Sequence, residues 1–150
     1  MKSIEDHIKQ EVAFTNIRRK LLVNLIFTSH RISKEMDRFF MRYGITNKQY
    51  NVLRIIKGAK EQVSTSYIKD RMLVQNADVS RLVDRMIAKG LLAKSEDSED
   101  KRLISIHITD NGFHLMKLVA SDLEDLDEMT EGLTLEECKQ LNYLLNKINN

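Results

Sequence analysis

A run of polar and basic side chains over residues 75–85 has the chemistry needed to contact DNA. Its amides and hydroxyls can pair with base edges, and its guanidinium groups can bind phosphate. Apolar residues recur at helical spacing in the same segment, so the polar side chains fall on the opposite face of one helix, here called the polar helix. Its candidate DNA contacts are Gln75, Asn76, Asp78, Ser80, Arg81 and Arg85. Any solvated surface helix carries a polar face, so this pattern alone leaves both interpretations open.

The distribution of charge favours the DNA interpretation. The chain of 150 residues has 24 Lys and Arg against 22 Asp and Glu, a formal net charge of only +2. Residues 42–89 hold ten basic and four acidic side chains, a net of +6, whereas residues 95–137 hold thirteen acids and three bases, a net of −10. The basic excess coincides with the polar helix, as phosphate binding requires. For the acidic segment we expect self-association instead of DNA contact.

Other chemistries have little support in the sequence. The four His and the single Cys138 show no catalytic or metal-ligand spacing, and the five Gly form no phosphate-binding loop. We therefore predict no catalytic residue, no metal and no cofactor, and we expect Cys138 to be a buried small apolar residue. No apolar run approaches the roughly 20 residues that a membrane helix needs. The N-terminus lacks a secretory signal pattern, so we expect a cytoplasmic protein.

Hydrophobic periodicity and capping signals predict the elements that position the polar helix. Apolar residues three, four or seven apart over residues 12–43 predict one long helix that ends at Gly44. This helix has more apolar surface than one small domain needs, so we expect a second copy of the chain to cover the surplus. Thr46 and Gln49 form a candidate capping box for a short helix over about residues 47–57.

Two more short helices follow, and the second is the polar helix. Ser64 can cap the first, and Asn76 is the expected N-cap of the second, which ends near Gly90. The expected inward residues of the first are Tyr67, Ile68, Met72 and the stem of Arg71. Those of the second are Val79, Leu82, Val83 and Met86.

The spacing of the apolar residues changes from helical to alternating after Gly90. Residues 91–94 and 103–108 predict a two-stranded hairpin with Ile104, Ile106 and Ile108 on one face and a mobile tip at residues 95–100. Thr109 can cap one long helix that continues to residue 131, and Thr134 can open a last helix. We expect that last helix to face inward with Leu135, Cys138, Leu141, Leu144, Leu145 and Ile148.

The predicted fold is mostly α with a small β-hairpin wing. It is a winged helix-turn-helix lobe over residues 46–109, flanked by helical dimerisation regions over residues 10–44 and 110–150. The remaining alternative is a helical protein-interaction scaffold that does not bind DNA.

Several motifs in this order resemble the MarR (multiple antibiotic resistance regulator) family. They are residues 63–68, 79–86 and 89–92, the wing motif Asp100-Lys101-Arg102, and Ile108-Thr109-Asp110-Asn111-Gly112. The resemblance implies a homodimeric bacterial transcription regulator, a repressor, that binds a palindromic operator in double-stranded DNA. Two positions depart from the family pattern: Lys94 stands where Arg is usual, and Tyr67 where a polar residue is common.

The resemblance also implies roles for individual residues. The polar helix enters the major groove, and Arg102, oriented by Asp100, reaches the adjacent minor groove. Lys101 of the wing and Ser64, Thr65 and Ser66 complete the candidate DNA-binding set. A small phenolic or other aromatic effector would enter a pocket between the dimerisation helices and the DNA-binding lobe. Its candidate lining is Phe27, His30, Arg31, Tyr50 and His114.

Overall fold

The computed structural model describes residues 2–60, 63–73, 78–96 and 104–150. The chain divides into two compact units, Met1–Phe39 and Phe40–Asn150. In chain order the described elements are α1 (Ile4–Ile8), α2 (Ile17–Met41), α3 (Asn47–Gly58), α4 (Thr65–Arg71), α5 (Val79–Ala88), β1 (Leu92–Glu96), β2 (Ile104–Ile108), α6 (Asp110–Ser121), α7 (Glu124–Asp127), a 3₁₀ turn (Glu128–Thr130) and α8 (Leu135–Asn149). None of the helices in the described ranges is long and apolar enough to cross a membrane.

The first unit contains a short helix that the periodicity does not predict. Ser3 caps α1 in a capping box with Asp6, and Ile4 is buried. Lys20 of α2 forms an ion pair with Glu5 at 2.9 Å, and the rings of His7 and Phe27 lie 5.3 Å apart. Helix α1 therefore packs on α2.

The predicted start of the long helix, at residue 12, is wrong. Helix α2 begins at Ile17 because the side chain of Asn16 accepts hydrogen bonds from the backbone N–H groups of Arg18 and Arg19, at 2.9 and 3.2 Å. Its predicted end is confirmed: Gly44 has φ of +69° and closes the last turn with a hydrogen bond to the carbonyl of Met41.

Helices α3, α4 and α5 form the predicted succession of three short helices. Thr46 and Gln49 make a reciprocal capping box on α3, and the Ser64 hydroxyl accepts from the N–H of Tyr67 at the start of α4. The N-cap of α5 is Asp78 and not Asn76, since the Asp78 carboxylate accepts from the N–H of Arg81. The buried residues of α4 and α5 and their junction are Ile68, Met72, Val79, Leu82, Val83 and Met86.

Strands β1 and β2 pair antiparallel, as predicted, with Leu92 opposite Ile108 and Lys94 opposite Ile106. The N–H of Ile106 donates to the carbonyl of Val63 at 2.8 Å, which joins β2 to the segment just before the N-cap of α4. Ile106 and Ile108 are buried, but Ile104 is exposed, which shortens the predicted apolar face. Of the predicted mobile tip, residues 97–100 lie outside the described residues.

Gly112 fixes the base of the hairpin to α6. The Thr109 hydroxyl caps α6 by accepting from the Gly112 N–H at 3.2 Å, and it donates to the carbonyl of Gly90 at 2.6 Å. A Cβ on Gly112 would overlap the carbonyl oxygen of Leu91 and lie 2.6 Å from Cγ2 of Ile108. Only glycine lets the helix approach the hairpin this closely.

The predicted single helix from residue 110 to 131 is wrong. Helix α6 ends at Ser121, and α7 and the 3₁₀ turn follow as separate segments. The break lies where side-chain contacts hold the chain: Tyr43 donates a hydrogen bond to the carboxylate of Asp122, and Arg42 forms an ion pair with Asp125 at 2.7 Å. Such tertiary contacts override helical periodicity.

Helix α8 begins at the predicted capping box of Thr134 and Glu137 but buries none of its residues. The expectation that its apolar stripe faces inward is therefore wrong for the single chain. Cys138 is half-buried, not buried. The half-buried and exposed apolar side chains of α8 are Leu135, Leu141, Tyr143, Leu144, Leu145 and Ile148.

Candidate nucleic-acid interface

Helix α5 separates its side chains into a buried apolar face and an exposed polar face. Val79, Leu82, Val83 and Met86 are buried in the second unit. Three predicted contacts, Ser80, Arg81 and Arg85, are exposed on the other side of the helix. The structure thus brings these three side chains together on one surface of one rigid element.

Asp78 holds the first turn of α5 and orients Arg81. One carboxylate oxygen accepts from the Arg81 N–H at 3.1 Å, and the other forms an ion pair with Arg81 Nε at 3.1 Å. The Arg81 side chain remains 81% exposed. Arg85 Nε donates to the carbonyl of Arg81 at 3.1 Å, which places its guanidinium over the same turn. Asp78, predicted as a DNA contact, is therefore engaged within the helix as a cap and an orienting group.

An ion pair joins the wing to the polar helix. Lys94 Nζ on β1 lies 2.8 Å from Oδ1 of Asp84 on α5, and both side chains are partly exposed. An exposed pair of this kind contributes about 0.2–1 kcal/mol, so its importance is geometric more than energetic. Lys94 thus joins strand β1 to the polar helix.

Helix α4 contributes an exposed polar surface before α5. The Ser64 hydroxyl is engaged as the N-cap, Thr65 is half-buried and Ser66 is exposed. Arg71 does not pack its stem inward as predicted: its guanidinium carbon lies 3.5 Å from the centre of the Tyr67 ring. Sequence reasoning missed this pair, although its i, i+4 spacing is a signal for contact on a helix surface.

Comparison with known proteins shows what this chain is similar to. A family model described as MarR family matches residues 43–103. The transcriptional regulator PapX of Escherichia coli is 27% identical over 134 residues, covering 87% of this chain and 82% of PapX. The multiple antibiotic resistance protein MarR of E. coli K12 is 29% identical, covering 79% and 86% of the two chains. Over residues 43–103 the chain resembles the MarR family.

Solved structures of similar proteins have the same fold. An E. coli MarR variant complexed with operator DNA has a TM-score of 0.79, with 24% identity over 91% of this chain and 99% of that chain. The organohalide-sensing regulator RdhR in its 2,4-dichlorophenol-bound form has a TM-score of 0.80, with 18% identity over 94% and 86%. These likenesses confirm the predicted winged helix-turn-helix with flanking helices.

Five of the predicted DNA contacts lie outside the described residues. They are Gln75, Asn76, Asp100, Lys101 and Arg102. Their placement therefore remains a prediction. The described elements that flank them in sequence are α4 and α5 for Gln75 and Asn76, and β1 and β2 for Asp100, Lys101 and Arg102.

The five candidate effector residues divide between the two units. In the first unit Phe27 is half-buried against His7, whereas His30 and Arg31 are exposed. In the second unit Tyr50 is buried with its ring stacked on Phe40 at 4.6 Å, and His114 is exposed. The pocket that these residues would form remains a prediction. Among the described residues no group of three or more His, Cys, Asp or Glu could hold a metal ion.

Proposed function

We propose that this chain is a DNA-binding regulator of the MarR family that reads its operator with the exposed face of α5. The observation that carries the proposal is the pairing of Arg81 with Asp78 on the first turn, with Ser80 and Arg85 exposed beside it. An α-helix fits the major groove, and the residues near its N-terminus reach the base edges. The fold shared with the E. coli MarR variant in complex with operator DNA supports this mode of binding.

The wing contributes the second contact. Arg102, with Asp100 beside it in sequence, would enter the minor groove, and Lys101 would bind a neighbouring phosphate. The ion pair between Lys94 and Asp84 supports this proposal because it holds the base of the wing against the helix that would lie in the major groove.

The functional unit would be a homodimer on a palindromic operator. In the second unit, α8 exposes Leu144 and Ile148 at 46% and 54% of their surface. In the first unit, α2 exposes Ile17, Leu22 and Ile26. Exposed apolar surface of this extent is typical of interaction sites, and a second copy of the chain would cover it.

We further propose that the protein is a cytoplasmic repressor released by a small aromatic effector. Two relatives at 27% and 28% identity, YetL and MdtR of Bacillus subtilis, are named as repressors. Two proteins of the same fold involve small aromatic compounds: RdhR with 2,4-dichlorophenol and BpsR with 6-hydroxynicotinic acid. The candidate effector residues Phe27, His30, Arg31, Tyr50 and His114 combine apolar walls with polar groups.

Selection of bound duplexes from random DNA, followed by sequencing, tests the proposal. We expect one enriched palindromic sequence. Arg81→Ala should then weaken binding to that sequence more than binding to random DNA, because a base contact contributes only at the correct site. Lys117→Ala, which removes an exposed cation from α6, is the matched control. Absence of any enrichment, together with salt-independent binding, would favour the scaffold alternative.

Substitutions on α8 test whether the protein is a dimer. Leu144→Lys places a charge on the exposed apolar stripe, and we expect sedimentation at micromolar concentration to shift from dimer to monomer. Asn146→Lys puts the same charge on an exposed polar position of the same helix and should leave the dimer intact. A monomeric unmodified chain would refute both the dimer and the palindromic operator.

A further inference from the structure

Tyr67 and Arg71 form a stacked pair on the exposed surface of α4. The guanidinium carbon of Arg71 lies 3.5 Å from the centre of the Tyr67 ring, which is a face-on contact. Arg71 Nη1 also lies 3.4 Å from the carbonyl oxygen of Tyr67, one helical turn earlier. Arg71 is exposed, and Tyr67 is half-buried. The guanidinium of Arg71 therefore lies over the Tyr67 ring while the Arg71 side chain stays accessible to solvent.

The charge of Arg71 is not compensated by a carboxylate in the part of the chain that the structure describes. Arg81, by comparison, is paired with Asp78, and Lys94 with Asp84. An aromatic ring attracts a cation without neutralising it. A guanidinium carries five N–H donors, so the donors of Arg71 that are not engaged with the Tyr67 carbonyl remain available to phosphate oxygens.

We propose that Arg71, held by Tyr67, binds a backbone phosphate of the DNA that α5 reads. The inference rests on the proposed function, and neither residue was among the predicted DNA contacts. Helix α4 directly precedes α5 within the segment of net charge +6. In a helix-turn-helix the first helix crosses the DNA backbone while the second enters the groove, so a cation on α4 meets phosphate instead of base edges.

Tyr67 acts in this contact as a positioning residue. A free arginine side chain loses considerable rotamer freedom when it binds, and a guanidinium already stacked has less freedom to lose. The stacking contact gives the aromatic ring of Tyr67 a function in DNA binding. The ring and not the hydroxyl is what the contact requires.

Binding to a labelled duplex of mixed sequence, measured by fluorescence anisotropy over a range of KCl concentrations, tests the proposal. Arg71→Ala should lower the affinity about tenfold at low salt, as expected for one charge-assisted contact. It should also make the dependence of log affinity on log salt shallower by about one per protomer, because one phosphate fewer is neutralised. Lys117→Ala removes the same charge from α6 and should leave both quantities unchanged.

Two variants separate the stacking from the charge. Tyr67→Leu should weaken binding by roughly threefold and leave the salt dependence unchanged, since the guanidinium remains but is no longer pre-organised. Tyr67→Phe keeps the ring and should restore the affinity of the unmodified protein. Circular dichroism and thermal unfolding of each variant check that α4 remains folded.

The binding measurements distinguish the phosphate contact of Arg71 from the DNA-binding function of α5 on which it rests. If the unmodified protein binds DNA and loses affinity on Arg81→Ala, but Arg71→Ala behaves like Lys117→Ala, the phosphate contact is wrong and the proposed function stands. If Tyr67→Leu and Tyr67→Phe bind equally well, the positioning role of the ring is wrong. If the unmodified protein binds no DNA, both proposals fail together.

Discussion

Lys89, which follows the last residue of α5, donates a hydrogen bond from Nζ to the carbonyl oxygen of Gly44 across 2.7 Å. Gly44, with φ of +69°, lies in the turn between α2 and α3. The C-terminal end of the polar helix is thereby tied to this turn. The opposite end is held by the Asp78 cap, so α5 is fixed at both ends.

Replacing Lys89 by Met should remove this tie. We expect the free energy of unfolding to fall by about 1 kcal/mol, the usual net contribution of a hydrogen bond, because the Gly44 carbonyl then pairs only with water. Urea denaturation monitored by circular dichroism measures the change. Lys117→Met, at an exposed position of α6, is the control, and identical midpoints for the two variants would contradict the assignment.

Substitution of Gly112 should lower the free energy of unfolding for steric reasons. In Gly112→Ala the added methyl group would overlap the carbonyl oxygen of Leu91, so α6 must move away from the base of the hairpin. We expect a loss of about 2 kcal/mol in unfolding free energy, in the range found for overpacked sites. Gly58→Ala, at the end of α3 with open space around it, should instead be neutral or stabilising by about 0.5 kcal/mol.

The two functions of Asp78 can be separated by substitution. Asn is as good an N-cap as Asp, so Asp78→Asn should change the stability of the protein little, whereas Asp78→Ala should lower it by about 1 kcal/mol. Both variants remove the ion pair with Arg81. If orientation of Arg81 contributes to DNA recognition, both should weaken operator binding, although only one is destabilised. Thermal unfolding and anisotropy on the selected operator provide the two measurements.

The hydrogen bond between Tyr43 and Asp122 predicts a pH dependence of stability in two ranges. It lowers the pKa of Asp122 below the ordinary value of 3.8, with a second contribution from the Ser121 hydroxyl. The same bond raises the pKa of Tyr43 above 10.0, since it favours the neutral phenol. The hydrogen bond therefore contributes its full stabilisation between pH 3.8 and pH 10.0. It is lost as the pH falls through the folded-state pKa of Asp122 or rises through that of Tyr43.

Tyr43→Phe removes this hydrogen bond. The variant's free energy of unfolding should therefore depend less on pH at both the acidic and the alkaline end. The difference in unfolding free energy between the unmodified protein and the variant should be constant at intermediate pH and should shrink below pH 3.8 and above pH 10.0. Urea titrations at a series of pH values measure the difference. A gap that stays constant across both ranges would show that the loss comes from packing and not from the hydrogen bond.

Local signals were the part of the fold that the sequence predicted best. Thr46, Ser64, Thr109 and Thr134 were all predicted as caps, and each accepts a hydrogen bond from a backbone N–H three residues later. Such contacts depend only on neighbouring residues, so the pattern is sufficient. The prediction of Asn76 as the N-cap of α5 is wrong because Asn76 and Asp78 are both good capping residues, and the sequence pattern does not distinguish them.

Features that depend on distant residues were not predictable. No Gly or Pro marks the end of α6 at Ser121. The helix ends where Asp122 contacts Tyr43, a residue far away in sequence. Helix α1 was missed because five residues are too few for periodicity, although Ser3 and Asp6 carry a capping signal. In the candidate site, the exposed face of Ser80, Arg81 and Arg85 follows from helical geometry, but the stacking of Arg71 on Tyr67 does not follow from burial patterns.

Helix α8 buries none of its 15 residues within one chain. An isolated helix of that length is only marginally stable in water, so its order would have to come from association. Folding and assembly would then be linked by mass action: dilution would lower the helix content, and the melting temperature would rise with protein concentration. The cellular abundance of such a protein would set not only how much operator is occupied but also how much of the chain is folded.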